Sequence, residues 1–120
     1  IPDEPDKIGE VIKQICNKDQ PDLLLASGGT GPGPRDVTPE VLAKICEKML
    51  DGLGDYLRAE SQYFTDTAWL SRMTAGMIGQ TLIIALPGSP KAVQECWEII
   101  HPFIGDALEK ISKQGFSQKG

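Results

Sequence analysis

Leu25 to Glu40 reads LASGGTGPGPRDVTPE, and its reading decides the fold. The apolar run Leu23-Leu24-Leu25-Ala26 passes directly into Gly28-Gly29-Thr30-Gly31. A stiff Pro32-Gly33-Pro34 segment follows, then Arg35 and Asp36, then Val37-Thr38-Pro39-Glu40 opening a helical pattern. A strand that feeds a glycine-rich turn and a helix start presents main-chain N–H groups to an anion. Glycine removes the Cβ that would hold a phosphate away, and it permits the positive φ such a turn needs. The expectation is a cradle for a phosphate-bearing ligand.

Upstream, a helix starting at Pro5 or Asp6 carries Ile8, Val11, Ile12 and Ile15 on one face, the i, i+3, i+4, i+7 set. Asp3 and Asp6 are both able to cap it. Downstream, Thr38 and Pro39 suit a helix start, with Val41, Leu42, Ile45 and Met49 inward and an end near Asp51-Gly52. Leu53 to Phe64 reads as a third helix with Asp55, Arg58 and Glu60 on its charged face. Trp69 to Gly79 is punctuated by glycines and carries no clear period. Thr81 to Leu86 is the clearest strand, and it ends in the turn Pro87-Gly88-Ser89-Pro90. A long helix then runs from Pro90 to about Lys113, with fraying expected over residues 116–120. Continuous apolar strands alternating with helices predict an α/β fold with a mainly parallel sheet. Ligands bind such sheets beyond the carboxyl ends of the strands, and both glycine turns fall at that edge. They should face one pocket.

A chain of 120 residues is expected to form a single domain over residues 1–120. Its 40% hydrophobic and 24% charged residues are ordinary for a globular protein. The net charge of −5 argues against nucleic acid as a partner, because backbone phosphates require a basic surface. No apolar run is long enough to span a membrane. Cys16, Cys46 and Cys96 fall in helical patterns and read as buried, reduced thiols, which favours a cytoplasmic location. The chain opens Ile1-Pro2-Asp3-Glu4 without an initiator methionine, so a longer parent polypeptide is expected.

Several constellations carry chemistry. Gly28-Gly29-Thr30-Gly31 lacks the lysine of a Walker A loop and the spacing of a dinucleotide fingerprint. Beside Arg35-Asp36 and a helix start it still reads as an anion site, with Thr30 giving a hydroxyl and Arg35 a charged fork. Asp3 and Asp36 lie in loops. Each reads either as a helix cap or as a ligand for Mg²⁺, which favours one or two carboxylates plus phosphates and water. Ser71 and Arg72 offer a hydroxyl and a guanidinium. Pro87, Gly88 and Ser89 form a turn on any reading. His101 has no nearby metal-ligand partner and reads as structural. Trp69 and Trp97 read as packing residues.

Together these motifs resemble the MogA/MoaB family of molybdenum cofactor biosynthesis, which includes the G domain of gephyrin and its plant counterparts. The resemblance runs through Ile1-Pro2-Asp3-Glu4, Gly28-Gly29-Thr30-Gly31, Pro34 to Glu40, Leu70-Ser71-Arg72, Ala75-Gly76 and Leu86 to Pro90. It covers nearly the whole chain in family order. It implies a three-layer α/β/α fold, a homotrimer and molybdopterin binding. It also implies transfer of AMP from Mg·ATP to the terminal phosphate of molybdopterin, with release of pyrophosphate. On that resemblance Asp3 and Asp36 are the catalytic acidic pair and hold Mg²⁺. Gly28, Gly29, Thr30 and Gly31 match the loop at the pterin phosphate. Ser71, Arg72, Pro87, Gly88 and Ser89 match segments lining the pterin pocket.

Family members normally begin with a strand, a Ser-Asp-Arg loop, a helix and a further strand upstream of the Ile-Pro-Asp-Glu segment. The chain is therefore expected to be truncated relative to the family, with an exposed sheet edge. Two other readings stay open. One is a MoaB-like domain that binds pterin or trimerises without catalysis. The other, weaker, is insertion of metal into the adenylylated pterin.

Overall fold

Two apolar runs become neighbouring strands of the sheet. In the computed structural model, which describes residues 4–65 and 67–119 with side chains to residue 112, both runs are strands. The elements in order are α1 (Pro5–Lys18), β1 (Leu23–Ser27), α2 (Thr38–Ile45), β2 (Lys48–Met49), α3 (Asp51–Ser61), a 3-10 turn (Ala68–Leu70), β3 (Thr74–Ile78), β4 (Thr81–Leu86) and α4 (Pro90–Lys119). The expected fraying over residues 116–120 bears on side chains and a final residue outside the described set.

The sheet order is β1-β4-β3-β2. β1 runs parallel to β4, from Leu23 opposite Leu82 to Ser27 opposite Leu86. The β3–β4 and β2–β3 pairs are antiparallel. The expected mainly parallel sheet is thus a mixed one, and the cause is local. Only Gly79 and Gln80 separate β3 from β4, and a two-residue connection can join only antiparallel strands. Gly79 sits at φ +57°, the left-handed conformation that such a turn requires.

All six residues of β4 are buried, because helices cover both faces of the sheet. Leu82, Ile84 and Leu86 pack with Leu57, Met73, Cys96, Ile100 and Ile104 on the side of α3 and α4. Ile83 and Ala85 pack with Ile8, Ile12, Cys16, Val41 and Leu42 on the side of α1 and α2. The result is three layers, α/β/α, as expected. Successive side chains of one strand feed two separate cores.

Several local expectations shift. α2 ends at Ile45, and Met49 lies on β2. The chain there is drawn into the sheet: Glu47 N donates to Met77 O at 2.8 Å and Leu50 N to Ala75 O at 2.8 Å. Cys46 consequently leaves the helix in extended backbone. Glu4 occupies the cap position of α1 with no side-chain hydrogen bond. Thr38 is the first residue of α2, and its amide donates to Gly29 O at 3.1 Å. Trp69 and Trp97 are exposed and do not pack into the core. β1 pairs only with β4 among the described residues, so its outer edge is open and Leu25 is partly exposed.

Candidate ligand pocket at the carboxyl edge of the sheet

Gly28 N donates to Leu86 O at 2.8 Å, carrying the β1–β4 pairing one step past the end of β1. This bond holds the two glycine turns side by side. A cavity of about 550 Å³ opens beneath them, and Gly29, Thr30, Gly31, Ser71, Pro87, Gly88 and Ser89 all line it. The two turns do face one pocket.

The loop is built for main-chain donors. Gly28 and Gly29 take φ of +103° and +70°. A Cβ on Gly29 would lie 2.4 Å from Thr38 Oγ1, a distance no side chain tolerates. The amide of Gly28 is used by Leu86. The amides of Gly29, Thr30 and Gly31 take no partner among the described residues. Thr30 itself is buried.

Arg72 does not line this cavity. It grips the loop from behind. Its backbone N donates to Thr30 O at 2.6 Å and its Nε to Gly31 O at 2.9 Å. Its terminal nitrogens reach Asp36 O and the Glu40 carboxylate. One residue thus occupies three carbonyls of the 28–36 loop and leaves that loop's amides for other partners.

Asp36 also works on the loop. Its Oδ2 accepts the Gly33 amide at 3.0 Å, while its own amide donates to Gly33 O at 3.1 Å. Oδ1 takes no hydrogen bond among the described residues. Asp36 is not among the residues lining the large cavity. Asp3 lies outside the described residues. Gly28 and Arg35 line a separate groove beside α1. Among the described residues no group of three or more His, Cys, Asp or Glu converges, so no ready-made metal cage exists there. One open carboxylate oxygen suits Mg²⁺ that arrives with phosphates and water as its other ligands.

Ser89 divides its groups. Its Oγ accepts the Ala92 amide at 3.2 Å and so caps α4, while the residue still borders the cavity. Lys91 and Glu95 on the first turns of α4 border it as well.

The inner wall was not foreseen from the sequence. It includes Ser61, Phe64, Leu70, Met73 and Cys96. Burial pushes the Cys96 thiol up; the Ser61 hydroxyl works the other way, and Glu95 adds to the rise. Cys96 therefore stays a neutral thiol near pH 7 and is no nucleophile there. The Oγ of Ser71 is buried without a hydrogen-bond partner among the described residues, whereas that of Ser61 is buried against the Cys96 thiol. One sequence signal pointed to Ser61: it continues the four-residue spacing of Leu53 and Leu57, a polar residue on an apolar stripe.

The model of a family described as a probable molybdopterin binding domain matches residues 1–106. A Helicobacter pylori protein named molybdopterin adenylyltransferase is 45% identical over 111 residues, covering 92% of this chain and 63% of its own length. The Drosophila melanogaster molybdenum cofactor synthesis protein cinnamon is 40% identical over 111 residues, which are 92% of this chain but 18% of that protein. The chain thus spans less than two thirds of either of these relatives. A crystal structure of the molybdopterin biosynthesis enzyme MoaB from Thermus thermophilus superposes with a TM-score of 0.85 at 39% identity, covering 93% of this chain and 70% of that one. With that family's model matching residues 1–106 and these likenesses extending over more than nine tenths of the sequence, the chain belongs to the molybdopterin-binding domain family of molybdenum cofactor biosynthesis.

Proposed function

We propose that the cavity binds molybdopterin and that the protein transfers AMP from ATP to the terminal phosphate of that pterin. The observation that carries this reading is the row of three amides, Gly29 to Gly31, with no internal partner at the mouth of the cavity. Such donors suit a phosphate. The name of the Helicobacter relative supports the same reaction.

In that reaction an oxygen of the pterin's phosphate attacks the α-phosphorus of ATP. The bond from that phosphorus to the β-phosphate oxygen breaks, and pyrophosphate leaves. The chain's part is positioning and charge placement. The loop amides and the Thr30 hydroxyl hold the pterin phosphate. Arg72 keeps the loop carbonyls turned away from it. Asp36, with Asp3, would hold Mg²⁺, which supplies neutralisation of phosphate charge. A homotrimer in the cytoplasm is part of the same proposal.

A second reading is a pterin-binding domain without its own nucleotide chemistry. It is favoured by Asp36 being engaged with Gly33. Titrating molybdopterin and Mg·ATP separately distinguishes the two. The transferase binds both and releases pyrophosphate when they are mixed, and Asp36→Ala lowers turnover by about 100-fold or more. Pterin binding without any affinity for Mg·ATP establishes the second reading, and an Asp36→Ala variant with normal turnover removes Asp36 from the chemistry.

A further inference from the structure

We infer that Lys91 is a specificity-determining residue of the cavity, the positive side chain that selects a charged phosphate over an uncharged head group. The inference rests on the proposed pterin site and adds the source of its charge selection. The sequence offers Arg35 and Arg72 as cations for this site, and neither borders the cavity. Arg35 lines the groove beside α1. The Arg72 guanidinium is taken up by Gly31 O, Asp36 O and the Glu40 carboxylate. Among the described residues that line the cavity, Lys91 is the only lysine or arginine. It is exposed and takes no ion-pair partner among the described residues.

Its place in the fold sets it beside the free amides. A Cβ on Gly88 would lie 3.2 Å from Gly28 Cα, so the turn that opens α4 is pressed against the glycine loop. Ser89 caps that helix through the Ala92 amide, which puts Lys91 in the first turn. A cation there opposes the helix dipole, which favours acidic residues at that end, and the turn contains none. The position therefore works against the helix while it adds positive potential on the same rim as the Gly29–Gly31 amides. Those amides are neutral dipoles and donate to charged and uncharged oxygen alike. A full charge is what favours a phosphate over a neutral group. The net charge of −5 means that the field of the chain as a whole gives an anion no help.

The test uses Lys91→Gln, which nearly keeps the side chain's length and loses its charge. Affinities of wild type and variant are measured for molybdopterin, its dephosphorylated form and Mg·ATP. Lys91→Gln is expected to weaken molybdopterin on the order of tenfold and to leave the other two within about twofold. Wild-type affinity for molybdopterin should fall more steeply with added salt than the variant's. Lys91→Arg, which keeps the charge, should retain most of that affinity. Ligand-free Lys91→Gln should melt no lower than wild type, because a cation has left the positive end of α4. Unchanged molybdopterin affinity in Lys91→Gln overturns the inference, as does an equal loss on the dephosphorylated form or a loss confined to Mg·ATP. A melting point that falls in step with affinity assigns Lys91 to the fold and overturns it as well. A wild-type protein that binds neither pterin probe would instead overturn the pterin site itself, and the inference with it.

Discussion

The glycine loop and the inner wall of the cavity are built in opposite ways. In the loop, residues within a dozen positions lock one another: Asp36 holds Gly33, Thr38 holds Gly29, and Arg72 reaches in from β3's approach. The carbonyls of Gly29, Thr30, Gly31, Gly33 and Asp36 all have partners, while the amides of Gly29 to Gly31 remain free among the described residues. In the wall, Ser61 from α3, Ser71 and Met73 from the segment before β3, and Cys96 from α4 meet because α3 and α4 pack on the same face of the sheet. There the polar groups are isolated hydroxyls in an apolar setting. A charged head and a neutral ring need these two kinds of surface.

Removing the grip on the loop should give the largest change. Arg72→Ala loses hydrogen bonds from a charged group to Gly31 and Asp36, worth about 2–3 kcal/mol in stability. Molybdopterin affinity should fall with it, as read by denaturant midpoints and ligand titration. Arg72→Lys should not restore the wild type, because a single ammonium cannot span these acceptors. If the lysine variant behaves as wild type, the loop does not depend on this fork.

Gly29→Ala tests the loop's conformation and should cost about 1–2 kcal/mol from the left-handed backbone alone. The approach to Thr38 adds to that. Its effect on dephosphorylated pterin should be much smaller than on molybdopterin. Equal losses on both would erase the division between loop and wall.

The smallest effect concerns the α1–α2 side, away from the cavity. Burial, with nearby Cys16 and Glu47, raises Cys46 from its ordinary 9.0 to about 11. Between those values the unfolded chain releases the proton that the folded one keeps, so this group's contribution to stability is full below pH 9 and fades toward pH 11. The slope of denaturant midpoint against pH over that interval should be shallower in Cys46→Ala. An identical slope would remove the thiol as its source.

The same contrast explains what could be read from the sequence. The loop, α1 and β4 were legible because glycines, periodicity and a continuous apolar run are local signals. β3 was hidden by Gly76 and Gly79, which lower strand propensity yet sit in a hairpin that tertiary pairing stabilises. β2 was read as helix because its two residues are strand only by virtue of the bonds that Glu47 and Leu50 make to β3. Those bonds add a second antiparallel pair to the one that the Gly79-Gln80 turn imposes. The 87–89 turn was legible from its place directly after a strand and Ser71 through motif resemblance, whereas Ser61 offered only its place on the Leu53–Leu57 stripe. Arg72 was expected in the pocket. Its type alone does not reveal that its targets are carbonyls of the loop.

The bond from Gly28 to Leu86 sets a gauge. It ties the tips of two adjacent parallel strands, whose separation is fixed by main-chain geometry at about 4.8 Å. Side-chain replacements along this rim therefore change what is contacted and not the span between contacts. Relatives that exchange residues at the 87–89 turn would retune their choice of cargo while keeping the same length of molecule in place.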